Sequence, residues 1–337
     1  MKESFSISLT DWQKFLHFIF KEFNVYAPIE TCGIIDYHII SSNNYESICY
    51  NRPKPVTPLK FFFLPVRENV VKDSKSDKTN MILGIPSCDL EALNILDEIY
   101  LNEYYTDPYY KNKRENTILI GTDCYNILKN CHCNAYGVKP FPTSKDDISL
   151  SLLDDRIYLF INNDKVKSLV AQLKKQAEIR YSTNIDYDRI DAKRKNIETL
   201  LKKQNSTLPD YYETGELIKK SDNPIWDDYS KTCVSCGACA TACPTCTCFL
   251  LIDKPGFEKV RQLDACQYPG FERIAAGEDP LNKRPIRFRN RYLCKYVWKP
   301  SKFNSVACTG CGRCIDSCIG KINKNELFQE LANKVLI

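Results

Sequence analysis

Residues 233–249 read CVSCGACATACPTCTCF. Within this stretch Cys233, Cys236, Cys239 and Cys243 keep intervals of three, three and four residues, and a proline follows the last. The pattern returns at 308–318, CTGCGRCIDSC, where Cys308, Cys311, Cys314 and Cys318 repeat the intervals without the proline. Zinc sites use two Cys-x-x-Cys pairs separated by a longer loop, not three evenly spaced cysteines given twice. A disulfide framework belongs to a small secreted chain, and 337 residues is not small.

The chemistry this spacing serves is that of the bacterial 4Fe–4S run, in which three thiolates wrap one cubane. In two-cluster folds the fourth cysteine of each run ligates the other cluster. That rule assigns one 4Fe–4S cluster to Cys233, Cys236, Cys239 and Cys318, and a second to Cys308, Cys311, Cys314 and Cys243. Gly237, Ala238, Ala240 and Gly312 are small enough for a backbone that must approach a cluster closely and aim amide hydrogens at its sulfurs.

Length and charge narrow the class. A chain of 337 residues is expected to form two domains or slightly more, each large enough to bury a core. Its 47 basic and 42 acidic residues leave a net charge of +5, too mild to imply nucleic acid. The start, MKESF, lacks the basic-then-apolar pattern of a leader, and no apolar run approaches the roughly 20 residues that span a bilayer. Eighteen cysteines in such a chain point to a reducing, cytoplasmic setting and suggest an anaerobic host.

Along the chain, Thr10 with Gln13 three residues on reads as a helix N-cap, followed by an apolar stripe of Trp12, Phe15, Leu16, Ile19, Phe20 and Phe23. His17 lies in this helix as an ordinary packed or surface side chain. Strand-like runs at 33–40, 61–66, 81–85 and 117–121 alternate with helical patterns at 90–101 and 166–180, an α/β signature. A further helix is expected at 190–204, with Ile190, Ile197, Leu200 and Leu201 as its apolar positions. Residues 205–232 turn polar, with Pro209 and Pro224, and mark the domain boundary. The last helix is expected at 325–335, its stripe formed by Leu327, Phe328, Leu331 and Val335.

The second half is longer than a compact ferredoxin, because some sixty residues separate the two cysteine runs. They include a basic stretch, 283–302, in which Arg287, Arg289, Arg291 and Lys295 interleave with Phe288, Tyr292, Tyr296 and Trp298. Aromatics among basic residues could stack on bases. The four-residue recurrence of Phe288, Tyr292 and Tyr296 reads instead as an apolar helix face with solvated charges opposite, or as a docking surface for an acidic partner. Cys246, Cys248 and Cys266 could be extra ligands, a redox dithiol or buried thiols, the last being the commonest role of cysteine. Cys32, Cys49 and Cys294 read as structural.

Several stretches together resemble one family. They are 224–229 (PIWDDY), the first cysteine run extended through Cys246 and Cys248, 84–90 (GIPSCDL), 107–110 (DPYY), Cys124, and the pair Cys131 and Cys133 around His132. The family comprises the iron–sulfur β subunits of soluble multimeric hydrogenases (sulfhydrogenases) and the A subunit of anaerobic sulfite reductase, and the resemblance spans about residues 84–318. It departs in two places: the arginine usual near Pro86 and Ser87 is missing, and Cys318 is followed by Ile319 where proline is usual. The resemblance implies an electron-transfer subunit working between a flavoprotein (FAD/NAD-type) subunit and a catalytic subunit, either a nickel–iron hydrogenase or a siroheme sulfite reductase.

The first half carries Cys88, Cys124, Cys131 and Cys133. The strands at 81–85 and 117–121 end just before Cys88 and Cys124, so parallel strands would deliver both thiols to one sheet edge, with Cys131 and Cys133 on a loop folding back over it. Four thiolates suit a third 4Fe–4S cluster; a tetrahedral zinc or unligated core thiols are the alternatives, and the resemblance favours a cofactor. The fold expected is an α/β domain over 1–215 that docks a partner, followed over 216–337 by a mostly helical two-cluster ferredoxin-like domain with a long insertion. The function expected is cytoplasmic one-electron relay with no substrate site of its own, no nucleic acid and no membrane span. The competing function is a cluster-dependent thiol–disulfide (heterodisulfide-type) reductase acting through Cys246, Cys248 and Cys266.

Overall fold

Among the described residues eleven strands form: β1 (Ser4–Ser8), β2 (Phe23–Thr31), β3 (Ile34–Ile39), β4 (Arg67–Asn69), β5 (Thr79–Pro86), β6 (Thr117–Thr122), β7 (Ile148–Leu153), β8 (Arg156–Ile161), β9 (Arg180–Tyr181), β10 (Phe249–Lys254) and β11 (Glu258–Leu263). The computed structural model describes residues 3–72, 78–143, 145–220 and 224–335. Eight strands make one mixed sheet in the order β3-β2-β5-β6-β7-β8-β1-β9. At its centre β2, β5, β6 and β7 run parallel, and antiparallel strands complete both sides.

Parallel strands are covered on both faces, so their residues alternate between two apolar layers rather than between core and water. Met81, Leu83, Ile118 and Ile120 pack with Trp12, Phe15, Leu16 and Ile19 of the helix Leu9–Ile19. Ile82, Ile85 and Leu119 pack with Leu90, Leu93 and Leu96 of the helix Ser87–Tyr100. The α/β expectation for the first half stands. Two local details differ. Ser8, not Thr10, caps the first helix by accepting from the Asp11 amide, because the chain leaves β1 at that residue. The run at 61–66 is no strand: Leu59–Phe62 is a 3-10 turn, and Leu59, Phe63 and Leu64 are apolar because they seal the second layer.

In the second half, the helices Tyr211–Lys220, Ile225–Ser230, Arg284–Leu293 and Lys324–Val335 enclose a core of Tyr211, Ile218, Trp226, Phe288, Tyr292, Tyr296, Leu327, Phe328 and Leu331. The side chain of Val335 lies outside the described residues. The expected face of Phe288, Tyr292 and Tyr296 is therefore present, but the charges beside it are not solvated. Arg287, Arg291 and Lys295 are all buried, which overturns the expectation of an outward basic face. The polar stretch 205–232 is largely helical and contributes Tyr211 and Trp226 to this core. Cys32 is exposed on the β2–β3 turn, so it has no packing role.

The two halves interlock. The hairpin β10–β11 sits in the insertion between the cysteine runs, and β11 pairs with β4 of the first half. Arg313 clasps Asp89 through two short hydrogen bonds, 2.6 and 2.7 Å, with both residues buried. A Cβ on Gly310, at φ +66°, would stand 2.5 Å from the Cys133 backbone, so this close approach requires glycine. Among the described residues no helix is long and apolar enough to cross a membrane.

Candidate functional site

The cysteines gather around three hollows in a row. Cys233, Cys236, Cys239 and Cys318 line the outermost, together with Cys314. Cys243, Cys308, Cys311 and Cys314 line the middle one. Cys88, Cys124, Cys131 and Cys133 line the innermost, together with Cys311. The fourth cysteine of each run thus lies beside the other run's triplet. Neighbouring hollows share a wall, Cys314 between the outer two and Cys311 between the inner two.

Local sequence explains the placement. In both runs a glycine with positive φ, Gly237 at +73° and Gly312 at +76°, turns the chain into the short helix that carries the third cysteine. Cys88 enters the helix that follows β5, and Cys124 follows β6 by two residues, so parallel neighbours bring both thiols to one sheet edge. Cys131 and Cys133 reach that edge from the loop held by the His132 amide donating to the Gly310 carbonyl, 2.9 Å.

The electrostatics bear on what these hollows would hold. Arg291, Lys295 and Lys324 are buried, and among the described residues none of the three pairs with a carboxylate. Lys295 Nζ stands 2.9 Å from Cys243 Sγ and also donates to Thr245 Oγ1 and the Ala307 carbonyl. Burial opposes its charge, yet the sulfurs of Cys243, Cys246 and Cys308 hold Lys295 well above the ordinary lysine range. Lys324 Nζ lies 2.8 Å from His132 Nε2, and burial keeps that histidine neutral. Buried cations need a compensating anion close by. Hydrogen-bond donors also face inward: Thr309 Oγ1 on the middle hollow and Ser87 Oγ on the innermost are buried without a partner. An anionic cluster with sulfide acceptors fits both features. Among the described residues no three histidine, cysteine or carboxylate groups converge closely enough to hold a single metal ion.

Cys246, Cys248 and Cys266, for which the sequence offers three roles, fall into two contacts. The Cys246 thiol lies against that of Cys243, and the Cys266 thiol against that of Cys248. That contact, with Lys299 and Lys295 nearby, holds Cys248 down at about 6. The inward lysines and arginines are the functional features the sequence did not expose. For Arg291 and Lys295 the one signal is the regular interleaving of charges with Phe288, Tyr292 and Tyr296; Lys324 carries none.

Residues 232–322 match the family model of the 4Fe-4S dicluster domain, which defines the class: this is an iron–sulfur protein carrying that domain. Over 324 residues the chain is 28% identical to sulfhydrogenase 2 subunit beta of Pyrococcus furiosus, a span covering 91% of this chain and 92% of that protein. The resemblance drawn from the motifs is therefore upheld, and it extends through the first half as well.

Proposed function

We propose that the chain is the electron-relay subunit of a cytoplasmic multi-subunit oxidoreductase, holding three 4Fe–4S clusters in series. The observation that carries this reading is the row of three thiol-lined hollows with shared walls. Cys233, Cys236, Cys239 and Cys318 would hold the outer cluster, Cys243, Cys308, Cys311 and Cys314 the middle one, and Cys88, Cys124, Cys131 and Cys133 the inner one. Such clusters supply one-electron redox chemistry, with potentials set by net charge, hydrogen bonds and solvent exposure. Here Lys295, Arg291 and Lys324 supply charge, and packed walls exclude water from the middle position.

The relative is named as a subunit, and this chain has surface that suits a subunit too. The edge strand β10 exposes Phe249, Leu250 and Leu251, and Phe257 at the hairpin tip is 98% exposed. A nicotinamide delivers electrons in pairs, so a flavoprotein partner is needed to pass them singly to clusters. The catalytic partner is a nickel–iron hydrogenase or a siroheme sulfite reductase, and the word hydrogenase in the relative's name favours the first. The purified, iron-loaded chain is expected to take electrons from dithionite and pass them to cytochrome c, without evolving hydrogen or reducing sulfite. Sustained turnover of protons or sulfite by the single chain, with partner subunits shown absent, would refute this reading.

A further inference from the structure

We propose that Cys248 and Cys266 form a thiol–disulfide exchange site for small disulfides, with Cys248 as the attacking sulfur and Cys266 as the resolving one. The two residues flank the open end of the β10–β11 hairpin. Phe249 pairs with Leu263 there, and the Asp264 amide donates to the Cys248 carbonyl at 2.9 Å. The ladder thus sets Cys248 opposite Asp264, two residues before Cys266, and the two thiols lie against each other. Closing an S–S bond of about 2.05 Å from that contact needs side-chain rotation rather than rearrangement of the hairpin.

The two sulfurs are unequal in the way exchange requires. Cys248 is partly exposed beside the open strand β10, whereas Cys266 is 8% exposed. Lys299, anchored on the Thr245 carbonyl at 2.8 Å, adds a positive charge on the Cys248 side. A thiolate near ambient pH in reach of solvent attacks disulfides best. Cys246 is turned to Cys243 instead and stays outside the pair.

The step balances without any other reactant. The Cys248 thiolate attacks one sulfur of RSSR, forming a mixed disulfide and releasing RS⁻. Cys266, giving up its proton, then attacks the Cys248 sulfur, forming the Cys248–Cys266 bond and releasing the second RS⁻. Two protein thiols are oxidised, one small disulfide is reduced, and the proton from Cys266 passes to a departing thiolate. Nothing in this sequence involves the cluster ligands.

The test uses the full iron-loaded chain, held anaerobically with bis(2-hydroxyethyl) disulfide, acid-quenched, alkylated and mapped by mass spectrometry. The expected product is a Cys248–Cys266 cross-linked peptide that dithiothreitol reverses. Cys266→Ser should instead accumulate the reagent on Cys248, and Cys248→Ser should leave Cys266 unmodified. Reagent trapped on Cys266, a cross-link between other cysteines in place of this one, or no modification of Cys248 would overturn the proposal. Iron measured on the same samples distinguishes that failure from loss of clusters.

Discussion

Replacing Arg313 by methionine is expected to destabilise the chain by about 3–5 kcal/mol, the usual consequence of stranding one partner of a buried ion pair. Arg313 is 3% exposed and Asp89 fully buried, and the guanidinium meets the carboxylate through two bonds. Its Nε also donates to the Pro55 carbonyl at 2.9 Å. The pair lies where the helix after β5 meets the second cysteine run, so losing it weakens both the first half and its junction with the second. The guanidinium denaturation midpoint of the anaerobic protein, followed by circular dichroism, reads the effect. Arg313→Met combined with Asp89→Leu should recover much of the loss, since two apolar groups leave no stranded charge. A single variant within about 1 kcal/mol of the parent would contradict a structural role for the pair.

Lys295→Met is expected to lower the potential of one cluster, the one assigned to Cys243, Cys308, Cys311 and Cys314. Reduction adds negative charge, and the ammonium 2.9 Å from Cys243 Sγ stabilises it. At an effective dielectric constant of about 20, a unit charge is worth about 4 kcal/mol at roughly 4 Å and about half that at twice the distance, which for one electron corresponds to a drop of about 100 mV. Methionine retains the side chain's length and apolar stem, so packing against Thr245 and Ala307 changes little. A redox titration followed by electron paramagnetic resonance separates the clusters. An unmoved middle cluster, or an equal shift in all of them, would show that Lys295 does not act on this position.

The cysteine positions were legible because a cubane dictates thiol spacing along a chain that wraps it, so chemistry writes itself into local sequence. Cys88 and Cys124 were legible for a different reason: two apolar strands ending just before each thiol imply a shared sheet edge, and β5 and β6 do lie parallel and adjacent. What could not be read was whatever depends on distant partners. Arg291 and Lys295 look solvated beside Tyr292 and Tyr296, because nothing local shows that the thiol-lined hollows lie on the same side of the helix. The run at 61–66 looks like a strand because Phe61, Phe62 and Phe63 are apolar, yet Phe63 is apolar to pack against the Tyr110 ring. The hairpin β10–β11 carries no legible signal because Leu250 and Leu251 are both exposed and break any period-two alternation.

The central claim, a third cluster that extends the relay into the first half, is tested most directly by counting iron and acid-labile sulfide in the reconstituted chain and its Cys124→Ala variant. Three cubanes predict about twelve irons per parent chain and about eight in the variant. About eight irons in both, with unchanged cluster spectra, would contradict the claim and leave Cys88, Cys124, Cys131 and Cys133 as thiols of the core.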